Sequence, residues 1–235
     1  MSWTDRTEML IGKDGLERLK ASSVTVVGCG GVGAFAAEML ARAGIGHITL
    51  IDNDNVSETN INRQLLALNS TVGKAKVKVL AERLLDINPG LRIDIVEEYL
   101  TEQNSDIAGR PDYIIDAIDT LSPKIALIQY CLKNHIPLVS SMGAGAKTDA
   151  TSIRITDISK TFQCPLAHML RKRLHKLGIT EGFKAVFSIE SPKEGATVLD
   201  ESRNKKSQVG TISYLPAVFG CVCAQAAICD IAGLD

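Results

Sequence analysis

Short apolar runs alternate with helical stripes through the first three-fifths of the chain. Residues 6–21 predict an opening helix with a partial stripe of Met9, Leu10, Leu16 and Leu19, interrupted by Gly12 and Gly15. Val24 to Val27 predicts a short buried strand running into a glycine turn, Gly28 to Gly33. Helical spacing resumes through Ala34, Phe35, Met39 and Leu40 and stops at Gly44 and Gly46. His47 to Ile51 is the second strand, and a loop with a short helical stretch spans residues 53–69. Val72 to Asn88 predicts an amphipathic helix with Val77, Leu80, Leu84 and Leu85 on one face, ended by Pro89-Gly90. Leu91–Val96, Asp112–Asp116 and Ile136–Ser141 are the third to fifth strands, with a helix from Leu121 to Asn134 between the last two.

This alternation predicts an α/β, Rossmann-like, doubly wound fold with a mainly parallel sheet and helices on both faces. A ligand is expected beyond the C-terminal strand ends, where Gly28–Gly33, Asp52 and Asp119 converge. The rhythm then changes. Thr151–Thr156 and Ala185–Glu190 predict strands, Cys164–Leu177 a basic helix, and residues 191–209 a long mobile loop. These predict antiparallel additions to the sheet. The expected organisation is one domain, 1–235, with a nucleotide-binding half (1–145) and a substrate-shaping half (146–235). Leu215 to Leu234 is apolar enough to raise the question of a membrane. Pro216, Gly220, Gln225 and Asp230 within it favour a buried terminal helix.

Composition narrows the partners. The 27 acids nearly balance the 26 bases, so any nucleic-acid contact must come from local patches. Arg171-Lys-Arg173-Leu-His175-Lys176 and Arg203-Asn-Lys205-Lys206 are the candidates, with a solvated face as the alternative for each. Phe162, Phe183 and Phe187 are candidates for base stacking, with core packing the better reading. The six cysteines form no Cys-x-x-Cys pair, which argues against structural zinc. With no apolar leader at the start, a reducing cytoplasm is expected, and the buried reading of Leu215 to Leu234 makes a membrane tether doubtful.

The chemistry gathers around the second strand. Gly28, Gly30 and Gly33 fit Gly-x-Gly-x-x-Gly between strand and helix, where backbone N–H groups meet phosphate. Asp52, at the strand end, is placed for ribose hydroxyls; Asp54 reads equally as a ligand or a solvated loop acid. Asn60, Arg63 and Lys76 follow. A redox dinucleotide needs no such charged set, whereas a triphosphate being cleaved does. Asp119, just past the fourth strand, is placed to hold magnesium at the phosphates. Asp116 and the histidines at 47, 135 and 168 read as structural.

The order Gly-x-Gly-Gly-x-Gly, Asp-x-Asp-x-Val, Asn-x-Asn-Arg-Gln, Gly-x-x-Lys and Ala-x-Asp resembles the ubiquitin-activating-like adenylating enzymes. Over residues 6–145 the resemblance implies an ATP site of Gly28, Gly30, Gly31, Gly33, Asp52, Asp54, Asn60, Arg63, Gln64 and Lys76, with Asp119 on Mg²⁺. It also implies a homodimer in which Arg6 reaches the ATP of its partner; Arg63, Lys76, Asp119 and Arg6 are then the catalytic set. The stretches Thr7 to Leu19, Gly143-Ala-Gly145, Lys160-Thr161, Pro165-Leu166 and Val186-Phe-Ser188 resemble the bacterial branch that dehydrates threonylcarbamoyladenosine in tRNA. That branch implies tRNA as substrate and leaves room for a sulfur-transfer protein. The carrier-activating branch, which adenylates the C-terminus of a ubiquitin-like sulfur carrier, is the alternative. It usually keeps two Cys-x-x-Cys pairs and often a late nucleophilic cysteine, and no cysteine lies between Cys164 and Cys221. Cys164 itself reads better as a packed thiol than a reactive one. Gly143 and Gly145 fit either a substrate pocket or a monovalent-cation site. An NAD-dependent oxidoreductase and a non-catalytic nucleotide sensor are the readings from other classes.

Overall fold

The computed structural model describes residues 2–199 and 207–234. Strands β1 (Ser23–Val27), β2 (His47–Ile51), β3 (Arg92–Val96), β4 (Tyr113–Asp116), β5 (Leu138–Ser141), β6 (Ile153–Asp157) and β7 (Lys184–Ser188) form one sheet in the order β3-β2-β1-β4-β5-β7-β6. Every pairing is parallel except β6 with β7. The chain reverses direction across the sheet between β1 and β4, which is where a doubly wound sheet opens a crevice.

Alternate strand residues feed two cores, as the two-residue period of a strand requires. Val24, Val26, Ile48 and Leu50 pack under α2 (Gly33–Ala43), α3 (Lys76–Ile87) and α6 (Tyr214–Ala232). Val27, Ile51 and Ile114 pack under α4 (Leu121–Lys133) and α5 (Pro165–His175). Among the described residues, α6 has the length and apolarity to cross a membrane. Here its Leu215, Phe219, Cys223 and Ala227 are buried in the first core, against α2 and the opening helix α1 (Asp5–Ala21). The approach is close: a methyl built on Gly220 would stand 2.4 Å from Val32 O, at the start of α2.

Several expectations need correcting. Gly12 has φ +76 and kinks α1, so Met9 and Leu10 are 80% and 85% exposed while Leu16 and Leu19 are buried. α3 begins at Lys76 rather than Val72, because Gly73 is left-handed (φ +88) and Asn55 bridges Ala75. Ala81, not Leu85, completes its buried face. β7 joins β5 in parallel, so antiparallel pairing in the C-terminal half is confined, among the described residues, to β6 and a small hairpin. That hairpin pairs β8 (Thr197–Leu199) with β9 (Ser207–Val209), within the stretch read as a mobile loop; the part between the two strands, 200–206, lies outside the described residues. Phe183 and Phe187 are buried in the second core, and Phe162 lies edge-on to Phe187 at 5.4 Å.

Candidate active site

Ile51, Val27, Asp116 and Ser140 stand level across four parallel strands. The residues just beyond these four therefore emerge on one edge of the sheet. After Val27 comes Gly28, with φ +90, where a methyl would meet Ala117 O at 2.8 Å. At Gly33 a methyl would stand 1.7 Å from Gly28 O. The turn is thus pressed between the exit of β4 and the start of α2, and no residue with a Cβ fits at either position. Gly31 faces both Pro216 and the Arg63 carbonyl, and Gly30 faces the Gln64 amide. Three segments distant in sequence meet at this cradle.

After Ile51 comes Asp52, whose carboxylate accepts hydrogen bonds from Cys29 N–H at 2.7 Å and Asp54 N–H at 2.8 Å. Burial raises the Asp52 pKa above its ordinary value, opposed by the positive charge of Lys76 and these two backbone donors. Lys76, 5% exposed at the first turn of α3, donates to Asp54 at 2.7 Å. Asp54 is therefore the counter-charge of Lys76 in this structure, and its carboxylate is mostly exposed. The Cys29 thiol lies beneath this group, fully buried. Burial and the Asp52 charge push its pKa well up, so it stays protonated.

The loop Ser57 to Gln64 supplies the remaining groups. Asn60 is buried as part of a capping box: its oxygen accepts from Ser57 N–H at 3.2 Å, which fixes the turn. Arg63 donates from Nη1 to Thr59 O and Asn62 Oδ1, and has no carboxylate within 4 Å among the described residues. Gln64 is 9% exposed, and its Oε1 is a buried acceptor with no partner among the described residues. A cradle that side chains cannot fill, an arginine with no described carboxylate within 4 Å and a buried amide oxygen with no partner among the described residues together fit a polyanionic ligand.

Asp119 sits exposed three residues beyond Asp116 on the same edge. Arg6 does not join the cluster. It is exposed on the first turn of α1, and neighbouring Thr4 packs near Gly44, at the far end of α2 from Gly33. The 11 residues of α2 put that end about 16 Å from the cradle. Nor is the basic helix wholly available for tRNA: Arg171 is tied to Thr161 through its carbonyl oxygen and hydroxyl, while Lys172, Arg173 and Lys176 are exposed. Arg203, Lys205 and Lys206 lie outside the described residues.

Two residues escaped the reading of the sequence. Lys124 is fully buried and pairs with Asp116 at 2.7 Å, while Ser140 bridges both and Asp116 accepts from Ile118 N–H. This cluster holds the turn that leads to Asp119. A lysine beside the apolar run Ile125 to Ile128 of α4 was the available signal. Asn62 is the other: its amide donates to Thr211 O at 3.0 Å, fastening a strap from the C-terminal half over the Arg63 loop.

A family model described as the ThiF family matches residues 4–234. The chain belongs to the ThiF family. Among its ThiF-family relatives, tRNA threonylcarbamoyladenosine dehydratase of Bacillus subtilis (strain 168) is 44% identical, over 96% of this chain and 93% of the relative. The Escherichia coli (strain K12) enzyme of the same name is 41% identical, over 97% and 93%. The solved structure of the E. coli tRNA N6-threonylcarbamoyladenosine dehydratase in complex with ATP superposes with a TM-score of 0.90 at 40% identity, covering 98% of this chain and 93% of that one. Molybdopterin-synthase adenylyltransferase of E. coli is 34% identical but over only 64% of this chain. The family resemblance and the doubly wound fold expected from the sequence are both borne out.

Proposed function

We propose that this ThiF-family chain uses ATP to adenylate a carboxylate and so cyclises threonylcarbamoyladenosine in tRNA with net loss of water. The observation that carries this reading is the near-complete match to two dehydratases at 41–44% identity, substrate half included. The adenylyltransferase of molybdopterin synthase stops at 64% of the chain, which makes activation of a carrier protein the weaker alternative.

The threonyl carboxylate attacks the α-phosphorus of ATP, and pyrophosphate leaves. The amide donors of the glycine turn and the cations Arg63 and Lys76 face the charge that builds on the phosphates. For Lys76 this means sharing its ammonium between Asp54 and phosphate. Asp52 receives the ribose hydroxyls, and Asn60, whose oxygen is committed to Ser57, has its NH₂ for phosphate. Gln64 lines the cradle. Asp119, an exposed carboxylate and so a hard oxygen donor, would hold Mg²⁺, which would supply positive charge at the phosphates. The carbamoyl oxygen then attacks the acyl-adenylate carbon and AMP leaves. That attack is intramolecular, so high effective concentration replaces an enzyme nucleophile. The protonated Cys29 thiol agrees with this.

Mass analysis of tRNA nucleosides after incubation with the protein and ATP tests the reading. The modified adenosine should lose the mass of one water, with AMP and pyrophosphate formed in equal amounts. No change in the nucleoside alongside adenylation of a carrier protein would favour the alternative. The site is also expected to respond to acid. A carboxylate whose pKa is raised takes up its proton early as pH falls, so ATP affinity should start to drop above the ordinary aspartate value of about 3.9. Protonation also relieves the cost of burying the charge. The Asp52 contribution to folding is therefore most favourable at low pH and is lost as pH rises through its raised pKa. Titrations of ATP binding should show this acid limb in the native chain and a flat profile in Asp52→Asn.

The active form is proposed to be a homodimer. Arg6 is out of reach of its own cradle, and the exposed Met9 and Leu10 beside it offer an apolar surface for a second copy. Arg6→Ala and Arg63→Ala chains, each impaired alone, should regain about a quarter of native turnover when co-assembled: half the dimers are mixed, and each of those has one intact site. No recovery would overturn the shared site. The tRNA backbone is assigned to Lys172, Arg173 and Lys176, and binding there should weaken steeply with salt. Gly143 is assigned to the substrate pocket rather than a monovalent-cation site, since the Lys147 ammonium already faces its carbonyl. Action on tRNA implies a cytoplasmic protein.

A further inference from the structure

Three lysines are buried among the described residues. Lys76 and Lys124 each face a carboxylate at 2.7 Å. Lys147 does not. It is 3% exposed, has no carboxylate within 4 Å among the described residues, and donates one long hydrogen bond, 3.4 Å, to Gly143 O. An ammonium carries three donors and is strongly hydrated in water, so burying it against a single weak acceptor is unfavourable unless an anion completes the site.

The surroundings are built for that anion. Lys147 lines a cavity of about 270 Å³ together with Lys193, Thr148, Gly210 and Thr211, and no acidic residue among those described lines it. Its walls are fixed. Ala146 adopts φ +59, donates its N–H to Gly210 O at 2.8 Å and accepts from Lys193 N–H at 2.7 Å. Tyr214 donates to Thr148 O at 2.6 Å. A non-glycine residue held left-handed by two cross-segment hydrogen bonds marks a backbone arranged at some cost.

Its place in the fold ties it to the ATP cradle. Gly143 follows β5 on the same edge of the sheet as Gly28, two strand spacings, about 10 Å, to the side. The strap that walls the cavity, through Thr211, is the one Asn62 grips next to Arg63. We infer that Lys147, with Lys193 beside it, is the binding site for the substrate carboxylate that will be adenylated, delivering it from the strap side toward the phosphates. This rests on the proposed function and names the residue that selects its acid.

The test compares binding of tRNA carrying threonylcarbamoyladenosine with the same tRNA as the carboxyl methyl ester, in the presence of Mg²⁺ and a non-hydrolysable ATP analogue. The native chain should bind the acid about 10²-fold more tightly than the ester, as for a buried charge pair. Lys147→Met should bind both forms as weakly as the native chain binds the ester, with affinity for the ATP analogue unchanged. Lys147→Arg, which keeps the charge, should retain most of the preference and decides the matter where the Met variant folds poorly. Equal binding of acid and ester by the native chain overturns the inference. So does an equal loss for both forms in Lys147→Met, which would place the lysine on a backbone phosphate. Cyclisation of the acid-form tRNA by the native chain is measured alongside. Its absence overturns the parent reading, whereas cyclisation without an acid preference overturns this inference alone.

Discussion

Turnover of an Arg63→Ala chain should fall by about 10²–10³-fold, the loss of about 2.7–4 kcal/mol expected when one preorganised donor to developing charge is removed. The geometry makes this a clean experiment. Among the described residues the guanidinium donates to Thr59 O and Asn62 Oδ1, both within its own loop. Stability should therefore barely change. With no described carboxylate near it, Arg63 carries a full charge available to phosphate, whereas Lys76 must divide its charge with Asp54. Loss should appear more in kcat than in ATP affinity, because negative charge on the transferring group increases in the transition state. Single-turnover measurement of pyrophosphate formation on modified tRNA reads the adenylation step directly. Turnover within a few-fold of native would remove Arg63 from the catalytic set.

Whether a feature could be read from the sequence depended on whether its signal was local. A strand ending in Gly28 and a helix opening at Gly33 are written in neighbouring residues, and so is Asp52 at the end of an apolar run. The start of α3 is not. Apolar spacing from Val72 looked continuous, yet Asn55, far back in the chain, bridges Ala75 and ends the preceding loop there. That distant pairing brings Lys76 to the edge of the sheet at the first turn of α3. The direction of β7 was hidden for a similar reason: an alternating strand carries its faces in its sequence but not its partner. Met9 and Leu10 share a helical stripe with Leu16 and Leu19 by spacing alone, and the left-handed Gly12 breaks that stripe. In the candidate site, the convergence of the glycines, Asp52 and Lys76 on one edge of the sheet was legible. Asn60 was legible as a residue, but not as a cap whose oxygen is already committed. The strap that Asn62 grips joins residues 149 positions apart and left no trace in the pattern.

Lys124→Met should destabilise the chain by about 3–5 kcal/mol, the cost of stranding a buried carboxylate without its counter-ion. Asp116 and Lys124 are both 0% exposed, and nothing solvated can replace the ammonium. Asp116 would keep Ser140 and the Ile118 N–H, two donors for a full charge. At about 2–4 °C per kcal/mol for a chain of this size, the thermal midpoint should fall by about 6–20 °C. The pair sits directly beneath the Ala117–Asp119 turn, so loss of stability should come with weaker nucleotide-dependent turnover even at temperatures where the variant remains folded. A second substitution separates the two effects. Asp116→Asn in the Lys124→Met background removes the stranded charge while keeping an acceptor for Ile118 N–H, and it should recover much of the lost stability. If recovery of the midpoint restores turnover as well, the cluster acts through shape alone. If turnover stays low while the midpoint returns, the charges themselves orient the turn that carries Asp119. A Lys124→Met chain that melts within a degree or two of native would show that the buried pair contributes far less than its geometry demands.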